Sequence, residues 1–204
     1  MGSPRTRLLA ATTNRGKLPE IRDIMADSGF DVLCLGDALE LGLLAAIPDV
    51  AEDTGTFEGN ARKKALEITR LAGVPVLADD SGLEIDFLGG MPGVESAFFM
   101  GRDTPYEIRN RHIMDLLRDI PTARRTARFT CVIAVAYPRG AVVTARGVCE
   151  GFIAEVPTGG GGFGYDPVFF VPSLGKTFGQ ASRDEKNAVS HRALALRKMR
   201  ELLT

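Results

Sequence analysis

The sequence predicts an α/β protein, and three observations carry that reading. Short apolar runs at Leu8–Thr12 and Val74–Ala78 have strand length and stop abruptly at polar residues. Ala61, Ala65, Ile68 and Ala72 recur at the 4-3-4 spacing of a buried helical stripe. Thr126–Tyr137 and Ala141–Val148 read as paired long strands around the turn Pro138-Arg139-Gly140. Strand-like and helix-like segments therefore alternate, as α/β or α+β architectures require.

The other elements follow from local signals. A helix is expected from Lys17 to Asp27, ending at Gly29, followed by a strand at Asp31–Leu35. Residues 36–57 read as irregular, and a helix follows from Glu58 to Leu71. Thr104-Pro105-Tyr106-Glu107 has the form of a capping box with proline in the first turn, so a helix should start there and carry His112. Asp166–Val171 reads as a last short strand. Ser182-Arg183-Asp184-Glu185 is a second capping box that opens a helical C-terminus, and Ser190 is an alternative cap.

At 204 residues the chain suits one domain, spanning 1–204, of at most two small lobes. Lys and Arg number 25 against 26 Asp and Glu, a net charge of −1. Such a balance argues against a partner held by bulk positive charge, so no nucleic acid polymer is expected, and any phosphate needs a local cluster. The three cysteines, Cys34, Cys131 and Cys149, are odd in number and lack C-x-x-C spacing. That argues against a disulfide scaffold or a cysteine zinc site and fits a reducing cytoplasm. No apolar run of signal-peptide or membrane-span length is present, and no membrane partner is expected. Gly2 and Thr6 satisfy a loose myristoylation pattern that nothing else supports.

Some motifs match in form only. Gly159-Gly160-Gly161-Gly162-Phe163-Gly164 satisfies G-x-G-x-x-G, but a strand rather than a helix is expected after it. It also fits a kinase glycine loop, yet neither H-R-D nor D-F-G follows. Gly175-Lys176-Thr177 ends like a P-loop with Phe170 where the first glycine belongs. Neither H-E-x-x-H nor G-x-S-x-G occurs.

Five constellations carry chemistry. Thr12-Thr13-Asn14-Arg15-Gly16-Lys17 lies at a strand-to-helix turn, where free N–H groups, hydroxyls and a lysine suit a phosphate; the same residues also make an N-cap with a solvated lysine. Asp79-Asp80-Ser81-Gly82 follows an apolar strand. Adjacent carboxylates there bind Mg²⁺ or raise one another's pKa, or else form an acidic turn. Glu52-Asp53 precedes a helix on which Asn60 and Lys64 share a face, either functional or solvated. Thr158 to Asp166 is a glycine loop suited to close backbone approach to a ligand, with Phe163 to stack on a base and Asp166 to accept from one; a flexible hairpin is the alternative. Lys186-Asn187 with Ser190-His191-Arg192 offers cations near helix starts.

Taken together, T-x-N-x-x-K, A-D-D-S-G-L, F-G-Y-D-P and E-K-N-x-x-S-H-R occur in that order, with Thr56-Phe57, Asn60-Ala61-x-x-Lys64-Ala65, Gly89-Gly90-x-Pro92-Gly93 and Ser96-Ala97 between them. In these the chain resembles the inosine triphosphate pyrophosphatase family from Leu8 to about Met199. The resemblance implies an elongated mixed sheet with flanking helices, in two lobes around a nucleotide cleft. It also implies a homodimer, Mg²⁺, and hydrolysis of purine nucleoside triphosphates such as ITP, dITP and XTP to monophosphate and pyrophosphate.

By the same resemblance Thr12, Asn14 and Lys17 bind the triphosphate, with Thr13, Arg15 and Gly16 in the same loop. Asp80 is proton acceptor and metal ligand, Ser81 contacts substrate, and Lys64 helps Lys17 offset charge on the departing pyrophosphate. Phe163, Gly164, Tyr165 and Asp166 hold base and sugar, and Lys186, His191 and Arg192 complete the base pocket. Glu52 is the second metal carboxylate, with Asp53 as its alternative, because Thr54-Gly55-Thr56 is shorter than the family usually shows. Gly59 also replaces a frequent glutamate. A donor such as Arg192 would favour the 6-oxo group of inosine and xanthosine over the adenine amino group. A pyrophosphatase for modified pyrimidine triphosphates and a non-catalytic nucleotide-binding regulator are the competing readings.

Overall fold

The computed structural model describes residues 6–14, 16–26 and 28–204. Its strands are β1 (Thr6–Ala10), β2 (Phe30–Leu33), β3 (Val76–Ile85), β4 (Thr126–Ala136), β5 (Val142–Ile153), β6 (Phe169–Val171) and β7 (Lys176–Thr177). The helices are α1 (Lys17–Met25), α2 (Leu35–Glu40), α3 (Phe57–Ala72), α4 (Tyr106–Leu116), α5 (Arg183–Val189) and α6 (His191–Leu203). The strands form one mixed seven-stranded sheet in the order β2-β1-β3-β4-β5-β6-β7. β1 is parallel to both β2 and β3, while β6 is antiparallel to β5 and β7. The α/β expectation is met.

The chain divides into two compact units. One comprises the residues up to Asp80 with Cys131–Gly147 and Arg192–Thr204; the other comprises Ser81–Thr130 and Val148–His191. In the first unit the sheet is buried on both faces. Leu9, Val76, Ala78, Val132 and Ala134 join Ala61, Ala65, Ile68 and Ala72 of α3 in one apolar cluster. Their neighbours Leu8, Leu77, Cys131 and Ile133 join Ile21 and Met25 of α1 and Leu196 and Met199 of α6 in another. Successive side chains of a strand point to opposite faces. Two-sided burial therefore explains why these strands read as unbroken apolar runs rather than alternating ones. In the second unit Leu83 and Ile85 of β3, Ile113 and Leu117 around α4, and Phe129, Phe169 and Phe178 form the core.

Several boundaries differ from the sequence expectation, each for a local reason. β3 does not stop at Asp79-Asp80 but runs through them to Ile85, because both carboxylates find partners within the fold. The segment 36–57 is not wholly irregular. α2 begins at Cys34, whose Sγ accepts from Asp37 N–H while the Asp37 carboxylate accepts from Cys34 N–H, so cysteine takes the place usually held by serine or threonine. The box at Thr104 does not form. The Thr104 hydroxyl donates instead to the Met100 carbonyl, and Pro105 occupies the cap. Asp166–Val168 is a 3₁₀ turn, leaving only Phe169–Val171 as strand, and β5 extends to Ile153. Ser182 and Glu185 close a capping box on α5, and the extended Ser190, whose N–H donates to the Lys186 carbonyl, ends that helix before α6 begins. Asp27, the expected end of the first helix, and Gly2 of the myristoylation pattern lie outside the described residues. Among those described, no helix is long and apolar enough to cross a membrane.

Candidate functional site

In the first unit the chain leaves β1 through Thr12-Thr13-Asn14 and enters α1 at Lys17. The turn is held by its own side chains: Asn14 N–H donates to Thr12 Oγ1 (3.2 Å), Gly16 N–H to Asn14 Oδ1 (2.8 Å) and Lys17 N–H to the Asn14 carbonyl (3.1 Å). The helix cap is Gly16, with no side-chain cap bond. Thr13, Asn14 and Gly16 are exposed and Thr12 is half-buried. Arg15 lies outside the described residues. Lys17 reaches back along the strand ends to donate to Asp79 Oδ2 at 2.7 Å.

Asp79 and Asp80 are neighbours on β3, so their side chains leave opposite faces. That alternation separates their chemistry. Asp79 is buried with Lys17 and with Arg192, whose Nε lies 3.4 Å from Asp79 Oδ2 and whose Nη1 donates to Glu20 Oε2 at 3.1 Å. Burial alone would raise the Asp79 pKa, but these cations outweigh it and hold the carboxyl far below the usual range. Asp80 has the opposite fate. Burial pushes its pKa up to about 6, with Asn60 opposing and Glu52 adding repulsion. The expectation that adjacent carboxylates raise one another is thus met at Asp80 alone.

α3 supplies the partners of Asp80. Asn60 is buried rather than on a solvated face, and its Nδ2 donates to Asp80 Oδ2 at 2.9 Å. One turn on, Lys64 pairs with Glu52 and donates to the Asp79 carbonyl at 3.1 Å. The carboxylates around it raise the Lys64 pKa against the effect of burial, so it is a permanent cation. Asp53 turns outward to Lys63, with 65% of its side chain exposed, whereas the Glu52 side chain is 19% exposed. Glu52, not Asp53, therefore shares the environment of Asp80. Among the described residues no three His, Cys, Asp or Glu side chains converge as a metal cage. Two mutually repelling carboxylates without a third fit Mg²⁺, which uses one or two protein carboxylates and completes its shell with water and phosphate oxygens.

In the second unit the loop Thr158–Asp166 folds on its own chain. A Cβ at Gly159 would lie 2.2 Å from the Gly179 carbonyl, and one at Gly162 would lie 2.1 Å from Asp166 Oδ2. Those glycines serve close approach to protein backbone and to Asp166, while Gly160 faces open space. Asp166 Oδ2 accepts from Phe163 N–H at 2.7 Å and from Lys186 Nζ. The Lys186 ammonium sits 4.6 Å from the centre of the Phe163 ring and 5.3 Å from that of Phe178. Phe163 keeps 41% of its surface exposed. Tyr165 points inward: its hydroxyl donates to the Ser96 carbonyl at 2.8 Å, its ring meets Tyr106 edge-on, and burial raises its pKa. Gly164 adopts φ +67°, and its carbonyl accepts from Asn110 Nδ2 at 3.1 Å. His191 is buried and stacks on Phe129 at 4.7 Å. Ser81 is half-buried on β3.

Gly162→Ala would force the Asp166 carboxylate aside and strain a left-handed backbone. The expected cost is about 1–3 kcal/mol of stability with a raised KM, read by calorimetry and steady-state kinetics. An alanine variant with unchanged melting and KM would contradict the close approach.

The geometry therefore groups Lys17, Asp79, Asp80, Glu52, Asn60 and Lys64 in the first unit, and Phe163, Asp166 and Lys186 in the second. Arg192, expected beside a base, lies in the first unit against Asp79 and Glu20. Sequence reasoning missed Glu20 and the buried Arg109. Arg109 donates to the carbonyls of Ala97 (2.7 Å) and Gly101 (2.8 Å) and so fixes the loop that carries Ser96. No spacing signal marks either residue. Asn60 was singled out, but its bond to Asp80 needed the fold.

This is a mixed-sheet α/β protein with a carboxylate–lysine cluster built on the middle of β3 and the first turns of α1 and α3, an arrangement suited to polyanionic ligands and a hard cation. A profile of the Ham1 family matches residues 8–202, and the chain belongs to that family. It is 44% identical over 97% of its length to a dITP/XTP pyrophosphatase of Desulforamulus reducens, of which 95% is covered. It is 43% identical to the dITP/XTP pyrophosphatase of Bacillus subtilis, covering 96% of each chain. The solved Ham1 protein of Coxiella burnetii superimposes with a TM-score of 0.86 at 36% identity, covering 97% of this chain and 98% of that one.

Proposed function

We propose that this chain is a nucleoside triphosphate pyrophosphatase that hydrolyses non-standard purine triphosphates, dITP, ITP and XTP, to monophosphate and pyrophosphate. The names of its relatives support the substrate class. The observation that carries the reaction is Asp80. It is a buried carboxyl with its pKa pushed up to about 6, fixed by Asn60 and beside the permanent cation Lys64. A carboxylate held in one orientation by Asn60 and ionised at neutral pH suits the role of taking a proton from an attacking water.

Asp80 and Glu52 would hold Mg²⁺, which would supply charge neutralisation for the phosphates and acidify water. The hydroxyls of Thr12 and Thr13 and the side-chain NH₂ of Asn14 would offer donors to phosphate oxygens on a turn closed by Gly16 N–H, with Lys17 and Lys64 offsetting the charge of the leaving pyrophosphate. Arg15 joins this loop on the resemblance alone. Phe163 would stack on the base, and Lys186, with one proton committed to Asp166, has others for a purine carbonyl. A 6-oxo acceptor meets such a donor, whereas the adenine amino group leaves it unpaired. Gly164 and Tyr165 would shape that loop, Ser81 and His191 would complete the binding surface, and Arg192 would act through Asp79.

Homodimerisation and a cytoplasmic location belong to the same reading. They rest on the family resemblance. The deciding experiment is pyrophosphate release from XTP, dITP, ATP and a modified pyrimidine triphosphate, with and without Mg²⁺. Turnover of XTP and dITP well above the others, abolished by EDTA and restored by Mg²⁺, is the expected result. Equal cleavage of ATP would reject the selectivity, and no release would reject the activity.

A further inference from the structure

Thr54 and Gly59, on either side of the cap of α3, meet at one place in the fold. Thr54 presents two donors to the same acceptor: its N–H lies 3.1 Å and its hydroxyl 2.7 Å from Asn60 Oδ1. Asn60 in turn donates from Nδ2 to Asp80 Oδ2 at 2.9 Å. The primary amide of asparagine has one accepting and one donating end, and a half-turn about its last bond exchanges them. With Oδ1 fixed by two donors, the NH₂ end must face the Asp80 carboxylate; the reversed amide would set oxygen against oxygen.

Thr54 can reach this position only because residue 59 lacks a side chain. A Cβ at Gly59 would lie 2.3 Å from Thr54 Oγ1 and 2.7 Å from Thr54 Cβ. The glycine sits in the first turn of α3, whose cap is the Thr56 hydroxyl accepting from Gly59 N–H at 3.0 Å. The Thr54 hydroxyl also lies 3.2 Å from the carbonyl of Thr56, the cap residue, but its shorter contact is the one to Asn60 Oδ1. We propose that Thr54, admitted by Gly59, is a positioning residue for the reaction: it sets the Asn60 amide, which orients the Asp80 carboxylate.

This inference rests on the assignment of Asp80 as proton acceptor, and its test separates the two. Thr54→Val keeps the shape at Gly59 and removes only the hydroxyl. A loss of about tenfold in kcat with KM for XTP unchanged is expected, because the amide is left with one orienting donor. Thr54→Ser is expected to recover most of that loss. In the metal-free protein the side-chain amide protons of Asn60, followed by NMR, should exchange about tenfold faster in the valine variant than in wild type or the serine variant. Unchanged kcat in Thr54→Val, a loss confined to KM, a serine variant no better than valine, or unaltered Asn60 exchange would each overturn the inference. Wild-type protein that fails to turn over XTP or dITP would instead reject the functional reading, and the NMR comparison would still decide whether Thr54 sets the amide.

Discussion

Asp80→Asn is expected to lose turnover by about a thousandfold while nucleotide binding stays within a few-fold, because the amide keeps the volume and the Asn60 partner but cannot take a proton. Stability should move the other way. The folded protein holds the Asp80 pKa at about 6, against an ordinary 3.8. A carboxyl with a raised folded pKa favours folding when protonated, and that advantage fades as pH climbs from the unfolded value through the folded one. At neutral pH in EDTA the wild-type carboxylate therefore destabilises the fold, and the asparagine variant should be more stable by about 1–3 kcal/mol. Below about pH 4, where both folded and unfolded carboxyls are protonated, the two proteins should converge. Melting curves in EDTA at pH 3 and 7, set beside pyrophosphate release with Mg²⁺, check both halves. Retained turnover sinks the role of Asp80, and an asparagine variant less stable at pH 7 sinks the account of its burial.

Arg192→Leu should be the most damaging single change to the fold. The guanidinium is 2% exposed and faces Asp79 and Glu20, which are 3% and 9% exposed at their side chains. Removing one member of a buried charge network leaves the others uncompensated, at a cost of about 3–5 kcal/mol. A chain of this length should then melt about 10 °C lower. Lysine at 192 should recover part of the loss, since it keeps the charge but not the fork that engages two carboxylates. The competing role for Arg192, direct contact with the base, makes a different forecast: melting stays put and discrimination between XTP and ATP falls. Scanning calorimetry of the leucine and lysine variants beside a two-substrate comparison distinguishes them.

The acidic pair shows how sequence and fold divide the information. Asp79-Asp80 is visible in the sequence as two carboxylates after an apolar run, and their adjacency alone suggests mutual repulsion. On a continuing strand they face opposite ways. Lys17 and Arg192 then stabilise one carboxylate, while burial and Glu52 raise the pKa of the other. The glycine loop is similar. Its unusual composition is obvious in the sequence, yet Gly159 is explained by Gly179, a contact across 20 residues that no local pattern encodes, and Gly162 by the Asp166 side chain four residues on.

The α/β class, the alanine stripe of α3, the capping box at Ser182 and the set of residue types able to handle a polyphosphate were all legible in the order of amino acids. Those features depend on periodicity and on interactions a few residues long, which the order of amino acids specifies directly. It took the packed fold to show that β3 passes through Asp80, that Glu52 rather than Asp53 shares its surroundings, that Arg192 pairs with Asp79 and Glu20, and that Thr54 reaches Asn60. Each of these depends on which side chain meets which across a packed interior, where burial and the nearest charge set both protonation and orientation.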